Sequence, residues 1–226
     1  MGKYISVAID GPSGAGKSTI AKMCAQKLGF LYIDTGAIYR TVGVAVHSAG
    51  LGSKNEAGVK ALLPMIEITM RHDEKGLQRM FLDGRDVTDE IRRPEISIYA
   101  SDVSAMPAVR AFLLNKQRHF AETNNVIMDG RDIGTVVLPD ADVKIFLTAT
   151  AEERAMRRHE ELLLRGTETT LDEVLRDIVY RDNNDSTRSA APLRPAKDAV
   201  IIDTTGNSLE KSFDLICRLI EEKMAL

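Results

Sequence analysis

Residues 11–19 have the composition and spacing of a loop that binds phosphate. In the segment GPSGAGKST, two glycines frame four residues and are followed at once by a lysine and a serine. Glycines let backbone N–H groups turn inward onto phosphate oxygens, the lysine adds a positive charge, and the serine hydroxyl is a ligand that suits Mg²⁺. The sequence therefore predicts a site for a nucleoside triphosphate, made by Gly11, Pro12, Ser13, Gly14, Ala15, Gly16, Lys17, Ser18 and Thr19.

Two polar clusters follow apolar runs elsewhere in the chain. DTGAIYR (34–40) follows the run at 31–33, and DGRDIG (129–134) follows the run at 126–128. Open α/β sheets collect their ligands at the carboxyl ends of their strands, so both clusters should converge near the phosphate loop. The residues expected to meet there are Thr35, Tyr39, Arg40, Arg131 and Asp132.

A third cluster has helical spacing. Arg181, Asp185 and Arg188 are separated by four and then three positions, which places them on one face if a helix continues that far. A guanidinium group binds phosphate oxygens in two places and keeps its proton, so Arg40, Arg131 and Arg188 are predicted to hold an acceptor phosphate. Such an acceptor oxygen is already anionic, and no strong general base is needed. Lys17, Arg131 and Arg188 are the predicted catalytic residues.

The elements that must position these clusters alternate between strands and helices. Apolar runs at 4–9, 31–33, 126–128, 143–147 and 199–202 are separated mostly by helix-length segments. This pattern predicts an α/β fold with a parallel sheet and crossover helices. Helices are predicted at 105–123, 151–165 and 208–224, and Thr170 with Glu173 forms a capping-box signature before another.

Residues 62–101 differ from this pattern. Short runs at 66–70 and 79–82 flank the turn-like segment HDEKG (72–76), and Asp83-Gly84 is a second turn signal. These features predict antiparallel strands in a small insertion, with 1–61 and 102–226 forming the core.

Composition limits the classes of function. The 33 acidic and 30 basic residues give a net charge of -3, which argues against a broad nucleic-acid surface. Cys24 and Cys217 each lie in a helical segment, so neither a disulfide framework nor a paired-cysteine zinc site is expected, and a reducing cytoplasm fits best. No apolar stretch is long enough to span a bilayer, and no signal peptide is evident, so we expect no membrane partner.

The phosphate loop alone leaves the acceptor open, because switch GTPases, motor ATPases and small-molecule kinases all use it. A GTP switch usually carries Asn-Lys-x-Asp, whereas Asn115-Lys116 is followed by Gln117 and Arg118. No Asp-Glu pair ends an apolar strand to activate water. A kinase acting on a nucleotide, a kinase acting on another monophosphate or small alcohol, and a non-enzymatic nucleotide switch or nucleic-acid-binding ATPase are the three hypotheses.

Four segments together resemble the bacterial cytidylate kinase family along nearly the whole chain. They are IDGPSGAGKST (9–19), DTGAIYR (34–40), GRDIGTVV (130–137), and the cluster of Arg181, Asp185 and Arg188 beside APL (191–193). The resemblance implies a phosphate-loop kinase core, a monophosphate-binding insertion at 62–101 and a mobile lid at 150–188. It implies transfer of phosphate from ATP, with Mg²⁺, to CMP or dCMP by a monomer.

The resemblance also assigns roles around the acceptor. Cytosine presents an amino donor beside ring acceptors, so a carboxylate paired with an arginine can distinguish it from uracil, and Asp132 with Arg110 supplies such a pair. Ser101 is expected at the base, Arg181 and Asp185 at the sugar, and Thr35 and Tyr39 in the pocket. Ser18 and Asp129 are the expected metal ligands.

The helix with Arg154, Arg157 and Arg158 resembles the lid of the family, in which case Arg157 and Arg158 contact ATP. The alternative is a solvated face, because Glu153 with Arg157 and Arg157 with Glu161 have ion-pair spacing. The segment DNNDST (182–187) is less basic than the family resemblance leads us to expect.

Overall fold

The computed structural model describes residues 4–74 and 76–225. The strands are β1 (Ser6–Asp10), β2 (Leu31–Asp34), β3 (Ile68–His72), β4 (Gln78–Leu82), β5 (Arg85–Asp86), β6 (Val126–Gly130), β7 (Val143–Thr148) and β8 (Val200–Asp203). The α-helices are α1 (Lys17–Leu28), α2 (Thr35–Ser48), α3 (Glu56–Leu62), α4 (Pro94–Ser104), α5 (Pro107–Thr123), α6 (Ala151–Leu164), α7 (Leu171–Thr187) and α8 (Leu209–Met224).

Five strands form a parallel sheet in the order β2-β6-β1-β7-β8. The central strand β1 pairs with β6 on one side and β7 on the other, with Val7 opposite Ile127 and Val143. Val7, Ala8 and Ile9 are fully buried because helices cover both faces of the sheet. The predicted α/β fold with a parallel sheet is therefore confirmed.

Alternate residues of the strands belong to two hydrophobic clusters, which lie on opposite faces of the sheet. Ala8, Ile33 and Met128 pack with α2, α4 and α5, whereas Ile9 and Ile127 pack with α1 and α8. The free thiols of Cys24 and Cys217 lie in the second cluster. The two clusters hold the carboxyl ends of β1, β2 and β6 side by side.

Local signals explain where several helices begin. Asp34 ends β2 and caps α2 by accepting a hydrogen bond from the Ala37 N–H at 2.9 Å. Thr170 and Glu173 form the predicted capping box of α7. α7 ends at Thr187, so Arg188 lies one residue beyond the helix on which the spacing placed it.

The segment between α3 and α5 contains a three-stranded antiparallel sheet in the order β3-β4-β5. The two predicted short strands are present as β3 and β4; Lys75, in the predicted turn between them, lies outside the described residues. Residues 94–104 were not expected to be helical, but they form α4. Gly43 allows α4 to approach α2 closely, because a Cβ there would lie 3.2 Å from the Ala100 N and 3.3 Å from the Ile96 O.

The helices α6 and α7 form a separate packed pair. Ala155 and Leu162 of α6 contact Val174 and Ile178 of α7 in a small apolar cluster. Among the helices at residues 4–74 and 76–225, none combines the length and the apolar character needed to cross a membrane.

Candidate active site

A cleft of about 560 Å³ opens at the carboxyl ends of β1, β2 and β6. This volume suits a small-molecule ligand. Within the described part of the chain, ten lining side chains are arginine or lysine and five are aspartate or glutamate, so the cleft is basic in an acidic chain. The predicted site residues that line it are Ser13, Gly14, Ala15, Gly16, Lys17, Ser18, Thr19, Thr35, Tyr39, Arg40, Ser101, Arg110, Asp129, Arg131, Asp132, Arg157, Arg158, Arg181, Asp185 and Arg188.

The phosphate loop joins β1 to α1 and depends on glycine where it leaves the sheet. Gly11 has a φ of 148°, and a Cβ there would lie 1.9 Å from the Leu147 carbonyl oxygen. Gly11 and Pro12 form this connection and are the two predicted loop residues that do not line the cleft. The helix α1 begins at Lys17, and its first residues, Lys17, Ser18 and Thr19, line the cleft. A helix N-terminus in this place favours an anion.

Lys17 is the buried cation of the loop. Its side chain donates a 2.7 Å hydrogen bond from Nζ to the Pro12 carbonyl, and the residue is only 4% exposed. Burial, and then the charge of Arg131, lower the pKa of Lys17 to about 7. An anion in the cleft would oppose both effects, so this ammonium group is suited to a phosphate.

Asp129 lies at the end of β6 opposite the phosphate loop. It accepts hydrogen bonds from the Ser18 hydroxyl at 2.7 Å and the Tyr32 hydroxyl at 2.8 Å. Its backbone carbonyl accepts a 2.8 Å bond from the Thr35 hydroxyl. Burial, reinforced by the charge of Asp34, raises the pKa of Asp129 to about 6. The two predicted metal ligands, Ser18 and Asp129, are thus in direct contact.

Asp132 is the centre of a buried ion-pair group on the far side of the cleft. It pairs with the Arg110 guanidinium, and Arg188 Nη2 lies 3.5 Å from its other oxygen. The Arg110 guanidinium lies 5.6 Å from the centroid of the Tyr39 ring. The structure therefore brings together Asp132 and Arg110, two residues that are 22 positions apart in the sequence.

Asp10, at the end of β1, holds the backbone that follows Asp132. Its carboxylate accepts 2.8 Å and 2.7 Å hydrogen bonds from the Ile133 and Gly134 N–H groups. Burial raises the pKa of Asp10 to about 6, although these two bonds oppose the rise. Sequence reasoning missed Asp10; its place at the end of an apolar strand was the available signal.

Asp185 joins the predicted arginines of the third cluster. Its carboxylate accepts a 2.7 Å hydrogen bond from Arg131 Nε, and Arg188 Nη1 lies 3.6 Å away. These two arginines and Arg181 hold the pKa of Asp185 below its usual range against the effect of burial. Burial, and then the charge of Arg131, lower the pKa of Arg181 to about 10. The arrangement gathers positive charge that an anionic ligand would stabilise.

Arg40 is paired with a residue that sequence reasoning missed. Its Nη2 lies 2.6 Å from Asp34 Oδ2, and both side chains are mostly buried. Asp34 was visible as the first residue of DTGAIYR, but the pattern gave no sign that its carboxylate accepts a hydrogen bond from Arg40 and so orients it.

A search of protein-family models matches residues 7–222 to the family described as cytidylate kinase. The chain belongs to the cytidylate kinase family. Two curated relatives named cytidylate kinase support this: that of Carboxydothermus hydrogenoformans is 49% identical, with 95% of each chain covered, and that of Geobacter sulfurreducens is 50% identical, with 96% of this chain and 93% of its own covered.

A solved structure from Eubacterium ventriosum, of an uncharacterized protein, has the same overall fold. The TM-score is 0.53 at 14% identity, with 97% of this chain and 99% of the other covered. At this identity the likeness concerns the fold alone.

The α6 arginines of this cytidylate kinase family member have three different environments. Arg154 is 5% exposed and donates to the Ala149 O, the Ser13 O and Asp182 at 2.9, 2.9 and 2.6 Å. These contacts tie the phosphate loop to α7, so the alternative of a solvated face does not apply to Arg154.

Arg157 and Arg158 line the cleft but are also paired within α6. Arg157 Nη2 lies 3.0 Å from Glu153 and 2.9 Å from the Thr204 carbonyl, and Arg158 Nη1 lies 2.8 Å from Glu161. Of the two spacings noted in the sequence, Glu153 with Arg157 forms a bond, whereas Glu161 pairs with Arg158 and Arg165. Both side chains keep a face towards the cleft.

Proposed function

We propose that this chain transfers the γ-phosphoryl group of ATP to CMP or dCMP, giving ADP with CDP or dCDP. Membership of the cytidylate kinase family supports the reaction. The observation that carries the choice of acceptor is the buried pair of Asp132 and Arg110, in the same cleft as the phosphate loop. A carboxylate accepts from the amino group of cytosine and opposes the carbonyl of uracil at the same position.

Arginines of the cleft neutralise the acceptor phosphate in this proposal. Arg40, Arg131 and Arg188 bind its oxygens, and each is already oriented by a carboxylate at Asp34, Asp185 or Asp132. Donor and acceptor phosphates bring several negative charges together, so catalysis consists largely of alignment and charge neutralisation. No catalytic base is required.

The remaining acceptor contacts divide between base and sugar. Ser101 joins Asp132 and Arg110 at the base, Arg181 and Asp185 contact the sugar, and Thr35 and Tyr39 line the pocket. All of these residues face the same cleft, which supports the assignment. Segment 62–101 forms the monophosphate-binding insertion on the core at 1–61 and 102–226.

The donor site is the loop from Gly11 to Thr19, in which Lys17 supplies the positive charge. Arg157 and Arg158 are the lid contacts to ATP, within a lid region at 150–188 that excludes water when it closes. Lys17, Arg131 and Arg188 act on the transferred phosphoryl group.

Mg²⁺ accompanies ATP in this proposal, and Ser18 and Asp129 hold it. The donor set fits: the Ser18 hydroxyl and the buried Asp129 carboxylate are hard oxygen ligands 2.7 Å apart beside the phosphate loop. Bound there, the ion supplies charge neutralisation for the β and γ phosphates. The Tyr32 hydroxyl donates to the Asp129 carboxylate and orients it, while the Thr35 hydroxyl donates to the Asp129 backbone carbonyl and holds the end of β6.

The proposed enzyme is a cytoplasmic monomer that binds neither nucleic acid nor a membrane. The net charge of -3 supports the absence of a nucleic-acid partner. A gel-filtration measurement with light scattering tests the oligomeric state directly.

A coupled assay of ADP release with CMP, dCMP, UMP, AMP and shikimate tests the function. We expect turnover with CMP and dCMP well above that with the other acceptors. An equal response to all acceptors, or none to CMP, would contradict the proposal, and GTP binding without transfer would favour a nucleotide switch.

A further inference from the structure

Two side-chain hydrogen bonds join α4 to α7 beside the acceptor end of the cleft. The Tyr180 hydroxyl donates to Asp102 Oδ1 at 2.6 Å, and Asn184 Nδ2 donates to Ser101 Oγ at 2.8 Å. Tyr180 and Asn184 are one turn apart on α7, whereas Ser101 and Asp102 are consecutive on α4. These two bonds, which we call the α4–α7 contact, fix the spacing between the helices.

Asp102 anchors this contact to a third segment. Its second oxygen accepts a 2.6 Å hydrogen bond from the Ser53 hydroxyl, and the residue is only 6% exposed. Lys54 Nζ lies 5.5 Å from the centroid of the Tyr180 ring. A buried carboxylate that loses a partner is costly, so Asp102 resists separation of α4 from α7.

The Asn184 bond determines which way the Ser101 hydroxyl can act. Because the amide N–H of Asn184 occupies a lone pair of Ser101 Oγ, the hydroxyl proton must point elsewhere. Within residues 4–74 and 76–225 the structure gives that proton no protein acceptor, and Ser101 lines the cleft. Ser101 is thus presented to a ligand as a hydrogen-bond donor.

We propose that Asn184 is a positioning residue that makes Ser101 a donor to a ring acceptor of the cytosine base, with Tyr180 and Asp102 holding α7 at the distance this requires. The inference rests on the proposed function. It also gives a role to the amide at position 184 in DNNDST, the segment whose low basic content set it apart in the sequence. Asn184 acts through Ser101 and does not itself touch the substrate.

Substitutions at Asn184 separate this role from simple support of the helix. In Asn184→Ala the hydroxyl can rotate, so we expect the KM for CMP to rise about two- to tenfold, the range for one ordinary hydrogen bond. In Asn184→Asp the new carboxylate can only accept, so Ser101 turns its proton towards it and away from the base. We therefore expect Asn184→Asp to raise the KM for CMP at least about threefold more than Asn184→Ala.

Controls isolate the direction of the hydroxyl from other effects. Asn183→Asp adds the same charge at the exposed neighbouring position and should change the KM for CMP less than about twofold. In a Ser101→Ala background, Asn184→Asp should raise the KM for CMP no more than Asn183→Asp does. The KM for ATP should stay within about twofold of the wild-type value in all these variants.

Tyr180→Phe tests the spacing without altering Ser101 or Asn184. It should raise the KM for CMP about two- to tenfold, whereas Tyr4→Phe at an exposed position should change nothing. Thermal unfolding of each variant checks that it is folded, and these substitutions are conservative enough to keep the fold.

The outcomes distinguish this proposal from the function on which it rests. If the wild-type chain transfers no phosphate to CMP, the proposed function and the role of Asn184 both fail. If the wild type phosphorylates CMP, two results would overturn the role of Asn184 alone. The first is a KM for CMP in Asn184→Asp equal to that in Asn184→Ala or Asn183→Asp. The second is an equal rise in this KM when Asn184→Asp is made in the Ser101→Ala background. An unchanged KM for CMP in Tyr180→Phe overturns the role of the α4–α7 spacing.

Discussion

Replacing Asp132 by asparagine should separate recognition of the acceptor from recognition of ATP. Asp132 is 4% exposed, pairs with Arg110, and has Arg188 3.5 Å from its other oxygen. Asparagine keeps the shape of the side chain and one oxygen acceptor, but it removes the charge that orients both arginines. Alanine would also leave a cavity, so the amide is the sharper change.

The expected loss follows from the kind of bond that is removed. A hydrogen bond to a charged group contributes about 1.5–3 kcal/mol, and each 1.4 kcal/mol corresponds to a factor of ten. The kcat/KM for CMP should therefore fall about 10- to 150-fold in Asp132→Asn. The KM for ATP should change less than about twofold, because the phosphate loop is formed by β1 and α1.

Initial rates measured while the concentrations of CMP and ATP are varied in turn give the kcat/KM for CMP and the KM for ATP. Asp198→Asn is the matched control: Asp198 pairs with Lys144 at 2.8 Å, and its side chain is 65% exposed. Its amide variant should retain the wild-type constants. If Asp132→Asn lowers the kcat/KM for CMP and for ATP equally, the assignment of Asp132 to the base is refuted. A kcat/KM for CMP within about twofold of the wild-type value would refute it as well.

Three further predictions concern the phosphate loop and its support. Lys17→Ala should lower kcat at least about a hundredfold while thermal unfolding stays cooperative, because it removes a buried ammonium that stabilises phosphate charge; loss of the folded state would contradict this. Gly11→Ala should lower the free energy of unfolding, measured in urea, by at least about 3 kcal/mol, because its Cβ would lie 1.9 Å from the Leu147 carbonyl oxygen. A variant of wild-type stability would show that the loop does not need glycine for its close contact with Leu147. Burial raises the pKa of Asp10 to about 6 from 3.8, so the folded state holds that proton more tightly and the associated stability is lost as pH rises from about 4 to 6. Across that range the wild type should lose about 3 kcal/mol relative to Asp10→Asn in urea titrations, and parallel pH profiles would rule this out.

Much of the fold could be predicted because its signals are local. The strand, glycine-rich loop and helix from Ser6 to Leu28 follow directly in the sequence, and the capping box at Thr170 marks the start of α7. The small strands β3 and β4 were visible as short apolar runs. Each of these signals depends on neighbours within a few residues.

The helix α4 could not be predicted on the same basis. PEISIYASDVS contains β-branched residues and serines rather than strong helix formers, so its intrinsic helix propensity is weak. Tertiary packing stabilises it: Ile96, Ala100 and Val103 are buried in the core, and Gly43 lets α2 approach. Contacts between distant segments decided the structure here.

The members of the candidate site were visible in the sequence, whereas their partners were not. Lys17, Arg131 and Asp132 belong to segments whose residue types suit phosphate chemistry. The partners Asp34 and Asn184 have no motif of their own, and Arg154 could not be separated from Arg157 by helical spacing. Their roles depend on long-range contacts, such as the 2.9 Å bond from Arg154 to the Ser13 carbonyl.

A competition between acceptors tests the central claim most directly. Purified chain with ATP and Mg²⁺ is given CMP, UMP and AMP at equal concentrations, each acceptor carrying a carbon radiolabel in its base. The labelled diphosphate products are separated and counted at early times, so that ADP made from AMP is distinguished from the unlabelled ADP that ATP leaves behind. The account predicts that CDP forms first and in large excess over UDP and ADP made from AMP. Equal formation of labelled CDP and UDP, or a labelled product other than CDP in excess, would contradict the claim that this cleft selects cytosine.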